Sequence, residues 1–435
     1  MPAAAIRMSS ILVVEGAALT KLNGGGVRSR VVLASLQELG RVHVISIAKK
    51  SRHVDSIDSI EGVETHSVIV ANHSKWHDIR RFFREALLGR PAKFQTVPDA
   101  NAVTRKIETL VKSDPNIQIL AFRYINAWEL SHVAGHPILK QLCVWLDLDD
   151  RADKILLGKM RASRFWLWRK LAVRAYEARK GSVELAAREA HLCSLASASD
   201  IQDFAVNANV QELANVVPTP DSALELKAPS ASQDLLFLGS YAWPPNVSAI
   251  TWFIDNCWKE ISAQFPKTKL QVVGTGKRSI RDALSDRYRS DTSIVWHHNA
   301  FDLHMYYAGS RLVISPVEHG SGSKIKVIEA AAFARPTVVT PHSARGLHPT
   351  VRKDLKIAET ASNFAEHCIR YLQDQVLADR HGAALAQAQR AHHSEHSFSK
   401  AAFKALLATK HAPLFPNEVI AKYALTSPQS NEIQS

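Results

Sequence analysis

The residues best suited to chemistry lie at positions 315–340, which read SPVEHGSGSKIKVIEAAAFARPTVVT. A glycine-rich turn that enters a helix lets backbone N–H groups and the positive helix end meet phosphate oxygens. The segment predicts a phosphate cradle formed by Gly320, Ser321, Gly322 and Ser323, with Lys324 as an added positive charge. The Walker spacing GxxxxGK[ST] is absent here and around residues 274–277. The alternative is a tight strand-to-helix connection that needs glycine only for its geometry.

A carboxylate, Glu329, interrupts the apolar stripe of the helix that follows this turn. Ile325 and Phe333 lie one helical turn to either side of it on the same face. A buried carboxylate needs partners, and the ribose hydroxyls of a nucleotide bound over the turn would supply them. The alternative is a surface pair with Lys326, worth roughly a few tenths of a kcal/mol. We favour the ribose role.

Acidic residues also end an apolar strand in the first half of the chain, where Asp147, Asp149 and Asp150 occur in WLDLDD. Doubly wound folds place ligand groups at the carboxyl ends of strands. The cluster could hold acceptor hydroxyls or a divalent metal, but a helix N-terminal cap at Asp149 or Asp150 is favoured slightly. Arg123 follows the strand at 117–122 and could reach a donor phosphate or an acceptor. A surface arginine is nearly as frequent there.

The elements that must position these residues form two α/β series. The first opens with a strand at 11–14, a glycine loop at 23–26, a helix at 29–39 and a strand at 42–47, which predicts a doubly wound parallel sheet. The alternation begins again at residue 235, with a strand at 270–273 and a helix at 324–334. The composition of residues 217–233, rich in Pro, Ser and Ala, predicts a linker.

The predicted organisation therefore has five parts. They are an N-terminal Rossmann-like domain at 1–216, the linker at 217–233, a C-terminal Rossmann-like domain at 234–395, a helix at 396–412 that could return to the N-terminal domain, and a mobile tail at 413–435.

Charge and composition limit the classes of protein to which this sequence could belong. The apolar fraction of 46% is that of an ordinary globular protein, and the net charge of +13 suits polyanions or an anionic membrane. At 75–93 and 159–180, Lys and Arg alternate with Trp, Phe and Leu. This pattern is typical of interfacial helices and equally of a basic face over a buried stripe. No run approaches the roughly twenty apolar residues of a transmembrane helix, so we expect a cytoplasmic or peripheral membrane protein.

Metal-ligand and disulfide patterns are absent from the sequence. The cysteines at 143, 193, 257 and 368 show no CxxC spacing, and the 20 histidines show no HExxH spacing. We expect free thiols, no metal site and histidines mostly at the surface.

Five segments in order along the chain resemble the retaining GT-B glycosyltransferases of family four, the glycosyl transferases group 1. Residues 315–340 are similar to the donor-binding segment of that group. Residues 237–252 resemble the first strand and loop of the group's C-terminal domain, and residues 272–276 resemble its next strand. Residues 298–307 resemble the segment before the donor loop. Residues 23–40 resemble the glycine loop and first helix of the N-terminal domain.

The resemblance implies two Rossmann-like domains facing each other across a cleft and a metal-independent, retaining transfer of a hexose. It implies that Glu329 holds the donor ribose and that Gly239 and residues 320–324 approach the diphosphate. Gly25 and Gly26 would line the acceptor side of the cleft, where Arg123 and Asp149 are further candidates.

One departure concerns catalysis. Many members of the group carry two glutamates with seven residues between them, and the first would fall on Ser321. Glu318 lies three residues earlier. Either Glu318 takes this role, or the backbone and Lys324 act instead.

The predicted function is a transferase of polysaccharide biosynthesis that moves a sugar from a nucleotide-sugar donor to a glycan or lipid-linked saccharide. A nucleotide-sugar epimerase would share the donor site without an acceptor cleft. A nicotinamide oxidoreductase fits poorly, because Gly24-x-Gly26-x-x-Ser29 lacks the third glycine. A non-enzymatic polyanion binder would explain the charge but not Glu329. No nucleic acid partner and no cofactor are expected.

Overall fold

The computed structural model describes residues 8–16, 18–19, 24–48, 62–69, 75–89, 101–149, 166–202, 204, 209–217, 232–276, 278–298, 300, 303–319 and 325–424. The chain divides into two compact units. The first is Met1–Leu213 with Phe398–Ser435, and the second is Ala214–Ser397. The first boundary lies three residues before the predicted end of the N-terminal domain at 216.

The first unit contains a parallel sheet. Its strands in the described residues are β1 (Met8–Glu15), β2 (Gly40–Ala48), β3 (Val63–Ile69), β4 (Ile117–Arg123), β5 (Cys143–Asp149), β6 (Leu192–Leu195) and β7 (Val210–Glu212). Their order in space is β3-β2-β1-β4-β5-β6-β7. The chain builds outward from β1 to one edge and then resumes at β4 on the other side. The point between β1 and β4 is therefore a topological switch point, where doubly wound folds bind their ligands.

Helices connect these strands. They are α1 (Gly24–Gln37), α2 (Lys75–Leu88), α3 (Ala102–Ser113), α4 (Tyr124–Ser131), α5 (Trp166–Glu189) and α6 (Ala198–Ile201), with a 3-10 turn at Pro137–Lys140. The glycines at 24–26, predicted as a loop, form the first turn of α1 instead. A helix accommodates glycine at a modest cost in stability, so the glycines alone do not determine a loop.

The second unit repeats the same strand order. Its strands are β8 (Leu235–Leu238), β9 (Leu270–Gly274), β10 (Ile294–His298), β11 (Leu312–Ser315), β12 (Thr337–Val339) and β13 (Lys356–Ile357). The spatial order β10-β9-β8-β11-β12-β13 again follows the doubly wound pattern, and its switch point lies between β8 and β11.

The helices of the second unit cover both faces of its sheet. They are α7 (Pro244–Phe253), α8 (Lys259–Gln264), α9 (Arg278–Arg287), α10 (His304–Gly309), α11 (Ile325–Ala332), α12 (Pro349–Asp354), α13 (Ala361–Gln373) and α14 (Gln375–His392), with a π-helical turn at Ile254–Trp258. Alternate residues of β8 belong to two separate apolar clusters. Leu235 and Phe237 pack with residues of α7 and α13. Leu236 and Leu238 pack with Tyr307, Ala330 of α11 and Phe333.

Two C-terminal helices extend the chain, α15 (Glu395–Leu407) and α16 (Asn417–Ala424), with a 3-10 turn at Ala412–Leu414 between them. Ser399 Oγ donates to Glu38, the residue directly after α1, at 2.7 Å. Tyr423 Oη also donates to Glu38, at 2.8 Å, and its ring lies 4.7 Å from that of Phe403. The tail predicted to be mobile from residue 413 therefore holds a packed helix. Residues 425–435 lie outside the described residues.

Candidate functional site

Two glycines shape the carboxyl edge of the second sheet. Gly239 follows β8, and a Cβ atom there would lie 2.7 Å from Cγ of Asn246. Gly274 ends β9, and a Cβ atom there would overlap the carbonyl oxygen of Gly239. Contacts this short do not occur between real Cβ atoms and their neighbours. The two loops can therefore approach each other this closely only because both positions are glycine.

Asn246 links this edge to α11. Its Nδ2 donates to the carbonyl oxygen of Ser240 at 3.2 Å, and its Oδ1 accepts from Nζ of Lys326 at 2.8 Å. The Lys326 ammonium also lies 5.2 Å from the ring centre of Phe237. Lys326 is thus tied to the loop after β8. The alternative of a surface pair between Lys326 and Glu329 is not what the structure shows, because the Lys326 ammonium donates to Asn246.

Glu329 has a hydrogen-bonding partner that its own helix does not supply. Tyr307 Oη donates to Oε2 of Glu329 at 2.9 Å. The Tyr307 ring is buried and stacks on Phe333 with ring centroids 4.8 Å apart. The backbone carbonyl oxygen of Tyr307 accepts from Arg335 Nε at 2.6 Å. Phe333 and Ile325 are both buried, which confirms the apolar stripe. The carboxylate is held in place by neighbours that are themselves fixed.

Burial raises the pKa of Glu329 to about 7, although the hydrogen bond from Tyr307 and the charge of Lys326 both act to lower it. Within the described part of the chain, no hydrogen bond reaches Oε1 of Glu329. This oxygen is therefore available to accept a hydroxyl from a ligand.

Glu318 lies at the same edge, three residues beyond β11, and is exposed. The carbonyl oxygen of the neighbouring Val317 accepts from the hydroxyl of Thr340 and from Ser343 Oγ at 3.4 Å. These bonds fix the chain just before the predicted phosphate cradle. The cradle itself, Gly320, Ser321, Gly322, Ser323 and Lys324, lies outside the described residues, and α11 begins directly after it at Ile325.

A buried ion-pair network lies at the carboxyl ends of β4 and β5 in the first unit. Arg28 of α1 contacts Oδ1 of Asp147 at 2.7 Å, and Arg123 contacts Oδ2 of Asp147 at 3.0 Å. Ser194 Oγ donates to the same carboxylate at 2.6 Å. Burial alone would raise the pKa of Asp147, but the two guanidinium groups hold it below its usual value. The network joins α1 to three strands.

Arg123 is part of this network and not a surface residue. It is fully buried, and its Nη2 lies 2.9 Å from Oδ2 of Asp149. Its Nε donates to Oγ of Ser29 at 3.1 Å, and the carbonyl oxygen of Gly25 accepts from Ser29 at 2.8 Å. The alternative of a surface arginine is therefore wrong. Arg123 fixes the first turn of α1, which contains Gly25 and the buried Gly26.

Asp149 ends β5 in the left-handed region, with φ of 64°. Oδ2 also lies 3.4 Å from Tyr124 Oη, whereas Oδ1 is buried without a hydrogen bond in the part of the chain described. The carboxylate caps no helix among those residues and pairs with Arg123 instead. Asp150, the other cap candidate, lies outside the described residues.

Several residues of these two clusters carried no signal in the sequence. Arg28 and Asp147 are 119 positions apart, and Tyr307 and Glu329 are 22 apart. Only tertiary packing brings them together. Asn246 and Tyr307 fall inside segments that the sequence singled out, but nothing local distinguishes them from their neighbours.

The basic helices α2 and α5 present a mixed surface. Ile79, Phe83 and Leu87 are four positions apart on α2 and are 45%, 37% and 65% exposed. Arg80 and Arg84 beside them are exposed. Arg81 instead contacts Glu85 at 2.7 Å and Glu129 at 2.9 Å. No helix in the described ranges is long and apolar enough to cross a bilayer.

Comparisons with known proteins agree with this architecture. Residues 232–374 match the family model described as Glycosyl transferases group 1. An uncharacterized 44.6 kDa protein in the cps region of Klebsiella pneumoniae is 25% identical over 142 residues, which are 32% of this chain and 37% of that protein. The match therefore spans little more than a third of that relative.

Solved structures match over nearly the whole chain. A sucrose-phosphate synthase from Thermosynechococcus elongatus has a TM-score of 0.62 at 13% identity, covering 90% of this chain and 96% of that one. Anabaena Alr3699/HepE, solved in complex with UDP and glucose, has a TM-score of 0.59 at 13% identity, covering 92% of this chain and 99% of that one. WaaG, a glycosyltransferase involved in lipopolysaccharide biosynthesis, has a TM-score of 0.58 at 14% identity, covering 91% of this chain and 98% of that one.

These matches define the class of fold. The chain consists of two parallel-sheet, Rossmann-like α/β units and has the GT-B fold of glycosyltransferases. Its second unit carries the segment that matches the group 1 glycosyl transferases.

Proposed function

We propose that this protein is a retaining hexosyltransferase that moves a sugar from a nucleotide-sugar donor to a glycan or lipid-linked saccharide. The observation that carries the proposal is the position of Glu329. A carboxylate with one free acceptor oxygen lies on α11, the helix that follows β11, and β11 is one of the two strands at the switch point, where doubly wound sheets bind nucleotides. The match of residues 232–374 to the group 1 transferases supports the same conclusion.

In this proposal the donor lies across the carboxyl ends of β8 and β11. Oε1 of Glu329 accepts from a ribose hydroxyl, and the diphosphate extends toward Gly239 and the loop at 320–324. A Cβ atom at Gly239 would fill the space that Asn246 occupies. Glycine at this position therefore lets the Asn246 side chain pack directly against the loop after β8.

Transfer breaks the bond between the anomeric carbon and the diphosphate oxygen, which keeps the electron pair. The acceptor oxygen forms the new bond to that carbon, and its proton passes to the departing diphosphate. Lys324 and backbone N–H groups stabilise the charge that develops on the diphosphate. Glu318, exposed at the same edge, is the proposed carboxylate beside the reacting sugar. No metal is required by this scheme.

A thermal-shift panel of nucleotide sugars tests the donor site. A ligand at a hundred times its dissociation constant should add about 2.7 kcal/mol of stability. Glu329→Gln should lose most of this response, because the amide is a weaker acceptor for a hydroxyl. Glu366→Gln, at an exposed position of α13 in the same unit, is the matched control. An equal response in both variants would refute the ribose role.

Product analysis tests the reaction itself. We expect release of the nucleoside diphosphate together with a new glycosidic bond of the same anomeric configuration as the donor, read by NMR. If the product is instead an epimerised nucleotide sugar and no sugar is transferred to an acceptor, the protein is a nucleotide-sugar epimerase and not a transferase.

The acceptor is proposed to be lipid-linked or part of a surface polysaccharide. The exposed Ile79, Phe83 and Leu87 on α2 are apolar residues beside exposed arginines, an arrangement suited to an anionic membrane surface. The names of two similar proteins, WaaG in lipopolysaccharide biosynthesis and the protein in the cps region, support a saccharide acceptor. We propose a cytoplasmic location on the inner face of the membrane.

A further inference from the structure

Two histidines and a glutamate meet between the neighbouring strands β2 and β3. His43 pairs in register with Glu64, and Ile45 pairs with His66. Glu64 and His66 are two positions apart and therefore lie on the same face of β3. His43 is 3% exposed. The Glu64 side chain is 53% exposed and leaves the cluster open to solvent.

The distances among the three side chains are those of metal ligands. Nδ1 of His43 lies 3.3 Å from Nε2 of His66 and 3.3 Å from Oε2 of Glu64. Nε2 of His66 lies 3.6 Å from Oε1 of Glu64. Tetrahedral zinc with bonds of about 2.0–2.1 Å separates its ligand atoms by about 3.3–3.4 Å. The two ring nitrogens are already at this spacing, each has a different oxygen of the Glu64 carboxylate beside it, and one ligand atom from each residue lies within 4.8 Å of the others.

A fourth residue orients His43. Asp114 Oδ2 lies 3.4 Å from Nε2 of His43, and Asp114 Oδ1 accepts from the backbone N–H of Asn116 at 2.9 Å. A carboxylate on one ring nitrogen places the proton there and leaves Nδ1 unprotonated, as metal-bound histidines require. The metal-free alternative is a hydrogen bond from His66 Nε2 to His43 Nδ1, and it needs no ion.

We propose that His43, Glu64 and His66 bind a zinc ion, with water in the fourth position. Two imidazoles and one carboxylate suit Zn²⁺, whereas Mg²⁺ prefers oxygen ligands. The cluster lies in the first unit, between β2 and the edge strand β3. Within that unit the ion holds an edge strand to its neighbour.

Calorimetric titration of the metal-free full-length protein with ZnCl₂ tests the site. We expect one saturable zinc site, a zinc-dependent rise in melting temperature, and no such response to MgCl₂. Zinc-edge X-ray absorption should show four nitrogen or oxygen ligands at about 2.0–2.2 Å. These measurements do not depend on transferase activity.

Variants separate the zinc site from the hydrogen-bond network. Glu64→Gln and His66→Gln should abolish the zinc response, and Asp114→Asn should weaken affinity by about 10–100-fold. Glu108→Gln is the matched control, because Glu108 is a partly exposed carboxylate 3.5 Å from a lone histidine, His136. Metal-free melting temperatures show whether each variant folds. Wild-type zinc affinity in Glu64→Gln and His66→Gln, or no saturable binding by the wild type, would overturn the proposal.

Discussion

Replacing Glu329 by glutamine should stabilise the second unit at high pH and leave its stability unchanged at low pH. Burial raises the pKa of Glu329 from 4.5 to about 7, so the native state holds this proton more tightly than the unfolded chain. The stability that the protonated group contributes is fully present below the unfolded pKa. It is lost as the pH rises through the folded value.

The size of the effect follows from the two pKa values. The difference between 4.5 and about 7 corresponds to about 3 kcal/mol, at roughly 1.4 kcal/mol per pH unit. The side chain retains some exposed surface, so this value is an upper limit. Glutamine keeps an oxygen that can accept from Tyr307 and carries no charge to desolvate.

Thermal unfolding at pH 5 and pH 8 measures the difference. At pH 5, just above the unfolded pKa of 4.5, Glu329→Gln should unfold only slightly higher than the wild type. At pH 8 the variant should unfold several degrees higher, because a domain of this size gains roughly 2–4 °C per kcal/mol. Glu366→Gln should show no such pH dependence. A constant difference between wild type and Glu329→Gln across this range would show that the carboxylate is solvated, and the argument for a buried ligand-binding group would fail.

Three further changes test other parts of the molecule. Lys324→Ala should lower kcat by at least about tenfold with the melting temperature unchanged, since it removes a charge beside the leaving diphosphate. Wild-type kinetics in this variant would show that Lys324 does not stabilise the diphosphate. Asp147→Asn should destabilise the first unit by about 3–5 kcal/mol in urea unfolding, because it leaves buried Arg28 and Arg123 without their shared counter-ion; a loss below about 1 kcal/mol would contradict the buried network. The double variant Arg80→Ser, Arg84→Ser should co-sediment less with anionic vesicles than the wild type, most clearly at low salt. The control double variant Arg278→Ser, Arg289→Ser, at exposed positions of the second unit, should not. Equal pelleting of both double variants would exclude α2 as the membrane contact. Arg81 stays unchanged because Glu85 and Glu129 already pair with it.

Local pattern determined much of the architecture. The strands predicted at 117–122 and 270–273 are Ile117–Arg123 and Leu270–Gly274, because a short apolar run bounded by polar residues carries its own signal. The apolar stripe around Glu329 followed from helical spacing in the same way. The repeated alternation of strand and helix was enough to indicate two doubly wound sheets.

Some local signals had more than one physical solution. Glycines at 24–26 suit both a loop and a helix start, and neighbouring packing decided for the helix. The polar tail gave no periodicity that would indicate α16, which is held by contacts of Tyr423 with Phe403 and with Glu38. Glu38 lies 385 positions earlier in the chain, so no window of sequence contains both partners.

Only the tertiary structure decided which polar groups face one another. The sequence identified Glu329 and Arg123 as candidate site residues, but their partners are set by strand order and register. Arg28 meets Asp147 because β1 lies next to β4 and β4 next to β5, and His43 meets His66 because β2 and β3 pair in one register. The surroundings then set the charge of each group: two guanidinium groups hold the pKa of Asp147 below its usual value, whereas burial raises the pKa of Glu329 despite the hydrogen bond from Tyr307. Residue types and spacing were enough to propose the chemistry, whereas its electrostatics depend on contacts that exist only in the folded chain.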